Sequence, residues 1–143
     1  MTIKFYKVSD EYGCFSNFSP HGFIKDNRYW LTSEHYFQAQ KFQDLDIQET
    51  IRLAESPMIA AKMGRNKNNP LRSDWESIKD DVMRSAVYSK FLNNEDIKAV
   101  LLSTREKEII EDTTKDYYWG CGKDGSGKNM LGRILMEVRE KLK

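Results

Sequence analysis

Three polar side chains at helical spacing, Glu34, Gln38 and Lys41, are the strongest candidates for chemistry in this sequence. They belong to the segment TSEHYFQAQKF, residues 32–42, which is typical of a single helix. Residues four and seven positions apart project from the same side of a helix, so a carboxylate, an amide and an ammonium would line up there. The sequence therefore predicts a catalytic strip along one helix face.

The same segment predicts that these charges are buried. Tyr36, Phe37, Ala39 and Phe42 occupy most of the remaining circumference, so the rest of the protein should cover the helix. A buried charge requires a partner, a ligand or a cavity. We therefore interpret the segment as the wall of a functional cleft, in preference to a structural ion pair.

The composition indicates one domain without a strongly charged surface. With 143 residues the chain is long enough to bury a core without cross-links, and a single domain over residues 1–143 is expected. Its 23 Lys and Arg balance 22 Asp and Glu to a net charge of +1. This balance argues against strong nonspecific binding to duplex nucleic acid and leaves a local basic cleft open.

No stretch of the sequence has the features of a signal peptide or a membrane span, so a cytoplasmic protein with no membrane partner is expected. The two cysteines, Cys14 and Cys121, are expected to remain thiols and to be ordinary packed residues. Only His21 and His35 accompany them, at spacings that fit no zinc pattern. We expect no metal and no cofactor.

The elements that must position the cleft are predicted to be mostly helical. Aromatic runs at 4–8 and 23–31, the second with a turn at Asp26 and Asn27, predict two or three short strands near the N-terminus. The segment 107–112 fits a strand or a helical turn. The fold class is therefore α+β, predominantly helical, with a small N-terminal β-sheet.

Helix boundaries follow from capping signals and from apolar residues at a period of 3.6. The first of these predicted helices spans 46–55, and the next begins after a Ser56 cap and ends at Gly64. A third begins with a capping box of Ser73 and Glu76 and ends at Phe91. A fourth runs from an Asn94 cap to Ser103, and the last spans 130–142.

The glycine-dense segment 120–129, GCGKDGSGKN, nearly matches a phosphate-binding P-loop. Gly122, Gly127 and Lys128 fit the motif, but Asn129 stands where Ser or Thr would hold magnesium, and too few residues follow to complete the required sheet. A nucleoside triphosphatase is therefore disfavoured. The glycines and the start of the following helix still fit a cradle for a phosphate.

Three motifs in this order resemble the YbiA-like, or NADAR, family of N-glycosidases: GCFSNFSP (13–20), TSEHYFQAQKF (32–42) and WGCGKDGSGKNMLGRILMEVR (119–139). The resemblance extends over nearly the whole chain. It implies a YbiA-like fold and hydrolysis of the N-glycosidic bond between ribose and a base or base-like amine. The implied substrates are small phosphorylated ribosylamino-pyrimidine intermediates of riboflavin biosynthesis, or ADP-ribosylated guanine in nucleic acid.

The resemblance makes Glu34 and Lys41 the leading catalytic candidates, with Asp116 as a further carboxylate. Its SNF and WGxG motifs imply pocket walls formed by Asn17, Phe18, Trp119 and Gly120. Residue chemistry adds four substrate-binding candidates. These are Gln38 and Asn129 as hydrogen-bonding groups, Arg65 for phosphate and Trp75 for stacking, although core packing is equally open for Trp75 and capping of the last helix for Asn129.

Two roles are open for each leading residue. Glu34 would stabilise the positive charge that grows on the sugar ring, or would orient water or move a proton with Asp116 or Glu111 as the second carboxylate. Lys41 would bind phosphate or pair with Glu34 as a cation, or would trap the opened sugar aldehyde as a Schiff base, which we favour. The alternative to an enzyme is a module that binds ADP-ribose or a nucleotide without cleaving it.

Overall fold

The computed structural model describes residues 1–143. The chain forms six α-helices, four β-strands and one short 3-10 helix at Gly13–Phe15. The helices are α1 (Ser33–Ala39), α2 (Leu45–Arg52), α3 (Pro57–Gly64), α4 (Trp75–Leu92), α5 (Glu95–Ser103) and α6 (Met130–Leu142). The strands are β1 (Thr2–Phe5), β2 (Phe23–Lys25), β3 (Arg28–Trp30) and β4 (Glu108–Glu111). The predicted α+β class and the predominance of helix are confirmed.

The small N-terminal sheet predicted from the sequence is present as the pair β2 and β3, and β1 and β4 form a second two-stranded sheet. β2 and β3 are antiparallel, and Asp26 and Asn27 between them have φ values of 53° and 62°, as a two-residue hairpin turn requires. β1 pairs in parallel with β4, from Thr2 beside Glu108 to Phe5 beside Glu111. The segment at 107–112 is therefore a strand, and the strand predicted at 4–8 lies at 2–5 instead.

Helix α1 lies between two clusters of buried apolar side chains, and all of its residues are buried. The larger cluster joins β1 and β4 to α4, α5 and α6 and contains Phe37 of α1. The smaller cluster joins the β2–β3 hairpin to α2 and α3 and contains Tyr36 and Ala39. The burial predicted for this helix follows from its contact with both clusters.

Helix α1 is shorter than the segment 32–42 predicted. Thr32 caps its start, because the hydroxyl oxygen accepts a 3.1 Å hydrogen bond from the N–H of His35. At the other end the amides of Lys41 and Phe42 bond only three residues back, to the carbonyls of Gln38 and Ala39, which ends the helix. Lys41 therefore lies in the turn after α1 and not on its face.

Capping signals located the starts of α3 and α5, although the Asn94 side chain before α5 makes no capping hydrogen bond. Ser56 accepts from the N–H of Ile59 at the start of α3, as predicted. The capping box predicted at Ser73 and Glu76 is wrong, because α4 begins after Asp74 without a side-chain cap and Glu76 pairs with Lys79 instead. Helix α2 starts one residue earlier and ends three residues sooner than predicted. None of the helices combines the length and apolar character that a membrane crossing requires.

Candidate active site

A cavity of about 710 Å³ opens between α1, the 16–18 segment and the chain that follows β4. Eight of the predicted site residues line it: Asn17, Phe18, Glu34, Gln38, Lys41, Arg65, Asp116 and Trp119. Glu111, the alternative second carboxylate, also lines it, and eight residues that were not candidates complete the wall: Tyr6, Lys7, Val8, Ser16, Phe37, Met58, Met83 and Thr113.

Glu34 is buried at the first turn of α1, where only 8% of the residue is exposed. Its backbone N–H donates a 3.2 Å bond to the carbonyl of Asn17, and its carboxylate accepts a 2.7 Å bond from the amide of Gln38. Burial raises the pKa of Glu34, and the Gln38 hydrogen bond and the charge of Lys41 partly oppose this shift. The carboxylate is therefore held in one orientation at the cavity.

Gln38 is fixed in turn by Gly64, the last residue of α3. Its Oε1 atom is buried without a hydrogen-bond partner, and a Cβ built on Gly64 would overlap that atom. The absence of a side chain at Gly64 thus lets the Gln38 amide approach the α3 backbone closely. This packing restricts rotation of the amide that binds Glu34.

Lys41 reaches the same cavity from the turn after α1. Its Nζ atom lies 3.4 Å from the carbonyl oxygen of Gly64, and it forms no ion pair with Glu34. Burial lowers the pKa of Lys41 and the nearby Arg65 charge adds to this effect, while Glu34 acts in the opposite direction. Both the cationic and the amine chemistry predicted for Lys41 are accessible here.

Two further carboxyl groups line the cavity, one at the end of β4 and one on the chain that follows it. Glu111 is the last residue of β4, and burial together with the negative charges of Asp116 and Glu34 raises its pKa to about 7. Oδ1 of Asp116 accepts bonds of 2.9 Å from the N–H of Tyr118 and 2.8 Å from the N–H of Trp119. The two groups therefore differ in how much of their hydrogen-bonding capacity is free.

Aromatic rings form one side of the cavity. Trp119 meets Phe37 edge to face at a centroid distance of 5.3 Å, and Phe37 meets Trp75 in the same way at 5.1 Å. Asn17 is oriented by Ser33, whose hydroxyl donates a 2.8 Å bond to its Oδ1 atom. The wall offers a flat apolar face beside a fixed amide, which suits a heterocycle with polar edges.

Three predicted substrate-binding residues lie away from the cavity wall. Trp75 is buried in the larger apolar cluster behind Phe37. Gly120 is buried where a Cβ would overlap the methyl group of Thr113. Asn129, with φ of 53°, donates a 2.9 Å bond to the carbonyl of Ile109 and accepts a 3.0 Å bond from the N–H of Glu111. Asn129 thus fastens β4 to the start of α6.

The phosphate cradle predicted at the glycine loop is not formed. The N–H groups of residues 128–131, which the cradle would have used, donate to the carbonyls of residues 117–120 at 2.8–3.0 Å. Residues 117–119, which supply three of these carbonyls with Gly120 supplying the fourth, form a bend before the glycine-dense segment. The N-terminus of α6 therefore has its first amides occupied by its own chain.

No group of three or more His, Cys, Asp or Glu side chains has the arrangement of a metal site. The two thiols, at Cys14 and Cys121, are both free and half-buried.

Comparison with known proteins defines the family. The NADAR domain matches residues 4–143, and the chain belongs to this family. N-glycosidase YbiA of Escherichia coli strain K12 is 51% identical over 98% of this chain and 88% of that protein. An N-glycosidase of Nostoc punctiforme is 49% identical over 100% of this chain and 94% of that protein.

A third relative and a solved structure agree with this assignment. A riboflavin biosynthesis protein of Vibrio vulnificus is 43% identical over 98% of this chain and 38% of that protein. The NMR structure of E. coli YbiA matches 99% of this chain and 84% of that chain with a TM-score of 0.92 and 51% identity. The family and the YbiA-like fold predicted from the motifs are confirmed.

Proposed function

We propose that this protein is an N-glycosidase, a hydrolase that cleaves the bond between C1′ of a phosphorylated ribose and the nitrogen of a base-like amine. The observation that carries the proposal is the placement of Glu34 and Lys41 on one cavity wall, with the Glu34 carboxylate buried and oriented. Relatives that share about half of its residues carry the name N-glycosidase.

The charges around the cavity fit both ends of such a substrate. The carboxyl groups of Glu34, Glu111 and Asp116 face the same space as the cations Lys7, Lys41 and Arg65. A ribosylamine phosphate develops positive charge at C1′ during cleavage and carries a dianionic phosphate at C5′. We assign Glu34 and Glu111 to the anomeric centre and the cations Lys7 and Arg65 to the phosphate. Trp119 and Phe18 then remain for the heterocycle.

Bond cleavage makes two demands on the site. The electron pair of the C1′–N bond leaves with the nitrogen, which takes up a proton, and the sugar ring becomes positively charged. A buried carboxylate at position 34 stabilises that charge most strongly in the transition state, because little water is present to screen it. Addition of water to C1′ then gives ribose phosphate and the free amine.

Lys41 provides a covalent variant of this reaction, which we favour. The neutral amine attacks C1′ of the opened sugar, the base-like amine departs with a proton, and water hydrolyses the resulting imine to the sugar and the regenerated amine. Burial and the Arg65 charge both lower the pKa of Lys41 and so increase its neutral fraction. The turn after α1 brings this amine to the cavity that holds Glu34.

A free metabolite is the preferred substrate class. The net charge of +1 provides no general attraction for a polyanion. A relative named as a riboflavin biosynthesis protein supports a ribosylamino-pyrimidine phosphate. ADP-ribosylated guanine in nucleic acid contains the same type of bond and is the second member of the substrate panel.

The test is a direct assay of sugar release. The protein is incubated separately with a ribosylamino-pyrimidine 5′-phosphate and with DNA that carries ADP-ribosylated guanine, and the products are separated by chromatography. We expect ribose 5-phosphate and free amine from the first substrate, and a non-cleaving binding module would return both intact. If the protein released no sugar from the first substrate and none from the second, the proposal would be overturned.

A further inference from the structure

Glu111 combines a fixed backbone with an unengaged carboxyl group. Its N–H donates to Oδ1 of Asn129 at 3.0 Å, and its carbonyl accepts from the N–H groups of Thr113 at 3.1 Å and Cys121 at 3.0 Å. The side chain lines the cavity and makes no hydrogen bond or ion pair with the protein. A carboxyl group that is carried on a fixed backbone and free of protein partners is available to a ligand.

Asp116 shows the opposite arrangement. One of its oxygens, Oδ1, is occupied by the N–H groups of Tyr118 and Trp119. These bonds organise the turn that presents the Trp119 ring to Phe37 at the cavity. This turn requires an acceptor oxygen on the side chain of residue 116 and does not require an exchangeable proton there.

We infer that Glu111 is the group that gives a proton to the leaving nitrogen, and that Asp116 is a positioning residue that orders the turn carrying Trp119. The inference rests on the proposed N-glycosidase function. It selects Glu111 for the proton-transfer role, which the sequence left open between Asp116 and Glu111.

The proton transfer balances in both routes. When the C1′–N bond breaks, its electron pair stays on nitrogen and the Glu111 carboxylic acid supplies the proton, which leaves a free amine and a Glu111 carboxylate. When water later adds to C1′, the carboxylate takes one proton from that water and the acid is restored. If the sugar is held on Lys41, the same water attacks the imine carbon, so no further reactant is needed.

The surroundings of Glu111 keep its proton in place near neutral pH. Glu34 faces it from α1 and Asp116 from the following turn, and these two negative charges add to its burial to give a pKa of about 7. The cations Lys7, Lys41 and Arg65 line the same cavity, and of these Lys41 and Arg65 act on Glu34. Glu34 thus has partners that favour its ionised form, while Glu111 has none. This difference suits Glu34 to act as the carboxylate and Glu111 to act as the acid.

Three variants separate the two roles by turnover of the ribosylamino-pyrimidine phosphate. Glu111→Gln removes the proton and is expected to lower kcat by about 10²-fold to 10⁴-fold. Asp116→Asn keeps the acceptor oxygen and is expected to retain kcat within about 5-fold, while Asp116→Ala loses it and mainly raises KM. Glu108→Gln, on the exposed side of the same strand, is the matched control and should equal the parent.

The pH profile adds a readout that a structural role would not change. In the parent, kcat/KM should decline above about pH 7, as Glu111 loses its proton, and this decline should persist in Asp116→Asn and disappear in Glu111→Gln. Retention of activity within about 3-fold in Glu111→Gln, or loss of the decline in Asp116→Asn, would overturn the inference.

A titration that needs no turnover tests the acid directly. With ¹³C-labelled glutamate side chains, the carboxyl resonance missing from Glu111→Gln identifies Glu111, and we expect it to titrate near pH 7. A midpoint below about pH 5 would overturn the assignment even if the enzyme were active. Failure of the parent to cleave either substrate would instead overturn the proposed function, so the two failures are distinguishable.

Discussion

The side-chain amide of Gln38 donates a 2.7 Å hydrogen bond to the carboxylate of Glu34, one turn earlier in α1. The two side chains are buried, and burial raises the pKa of Glu34. A single amide donor compensates only part of the cost of desolvating a carboxylate. The burial of this carboxylate is therefore explained better by a role in function than by a contribution to stability.

Replacement of Glu34 should separate activity from stability. We expect Glu34→Gln to lower kcat by about 10³-fold, because the charge that stabilises the transition state is removed. At pH 7 the same change should raise the free energy of unfolding by on the order of 1 kcal/mol, because a desolvated carboxylate becomes a neutral amide. Steady-state kinetics and urea denaturation measure the two effects.

The control for this variant is Glu55→Gln, at an exposed carboxylate between α2 and α3. It should leave both kinetics and stability near the parental values. Turnover of Glu34→Gln within a few-fold of the parent would remove Glu34 from the catalytic assignment.

Lys41 should form an imine with the opened sugar. Sodium borohydride added during turnover should reduce this imine and increase the protein mass by one sugar phosphate, which peptide mapping should locate at Lys41. Lys41→Arg keeps the positive charge but is unable to form the adduct, so we expect it to lose at least about 10²-fold in kcat. Lys62→Arg, at an exposed lysine of α3, is the control.

An unmodified parent protein at full turnover would reject the covalent route. If Lys41→Arg also retained turnover within about 5-fold, the residue would be assigned to binding phosphate as a cation.

Gly64 should be required only because Gln38 is present. Gly64→Ala places a methyl group on Gln38 Oε1, so we expect it to displace the amide from Glu34 and to lower kcat by about 10-fold to 10²-fold. Gln38→Ala removes the obstacle, and adding Gly64→Ala to it should have little further effect. The double-mutant cycle measures this coupling. Additive effects of the two changes would contradict the close contact between Gly64 and Gln38.

Lys90 provides a prediction about stability that is independent of catalysis. It is a fully buried residue of α4 whose Nζ atom donates a 2.8 Å bond to the carbonyl of Ser16, and burial lowers its pKa to about 7. Because the unfolded chain binds more protons than the folded one between that value and the ordinary 10.5, stability should rise with pH through this window.

Lys90→Met should remove this pH dependence. Between about pH 6.5 and about pH 8.5, the difference in unfolding free energy between parent and variant should change by on the order of 2 kcal/mol. The Ser16 carbonyl keeps a 3.1 Å bond from the N–H of Ser19, so the variant leaves no buried acceptor unpaired. Lys141→Met, at an exposed lysine of α6, is the control. Parallel pH profiles for parent and Lys90→Met would contradict this account.

Local signals in the sequence were sufficient to predict most of the helices and many of the residues that line the cavity. The Ser56 cap and the apolar period of α6 depend on residues close together in the chain, and both were predicted correctly. Glu34 and Gln38 are one turn apart, so their contact also follows from helix geometry. The three motifs that carry the family resemblance contain six of the eight predicted residues on the cavity wall.

The remaining features depend on contacts between distant parts of the chain. β1 pairs with β4 across more than a hundred residues, and this pairing brings Lys7 and Glu111 to the same cavity. No local pattern specifies such a register. Asn129 was selected because it follows a glycine loop, but its bonds to β4 are visible only once that strand is in place.

The central claim is that the anomeric carbon of a sugar binds between Glu34 and Lys41. A crystal structure of Glu34→Gln with intact ribosylamino-pyrimidine phosphate measures this directly, because the variant should bind the substrate without cleaving it. We predict C1′ within about 4 Å of both the position-34 side chain and Lys41 Nζ, with the phosphate toward Arg65. Substrate bound elsewhere, or bound in this cavity with C1′ remote from both groups, would contradict the claim.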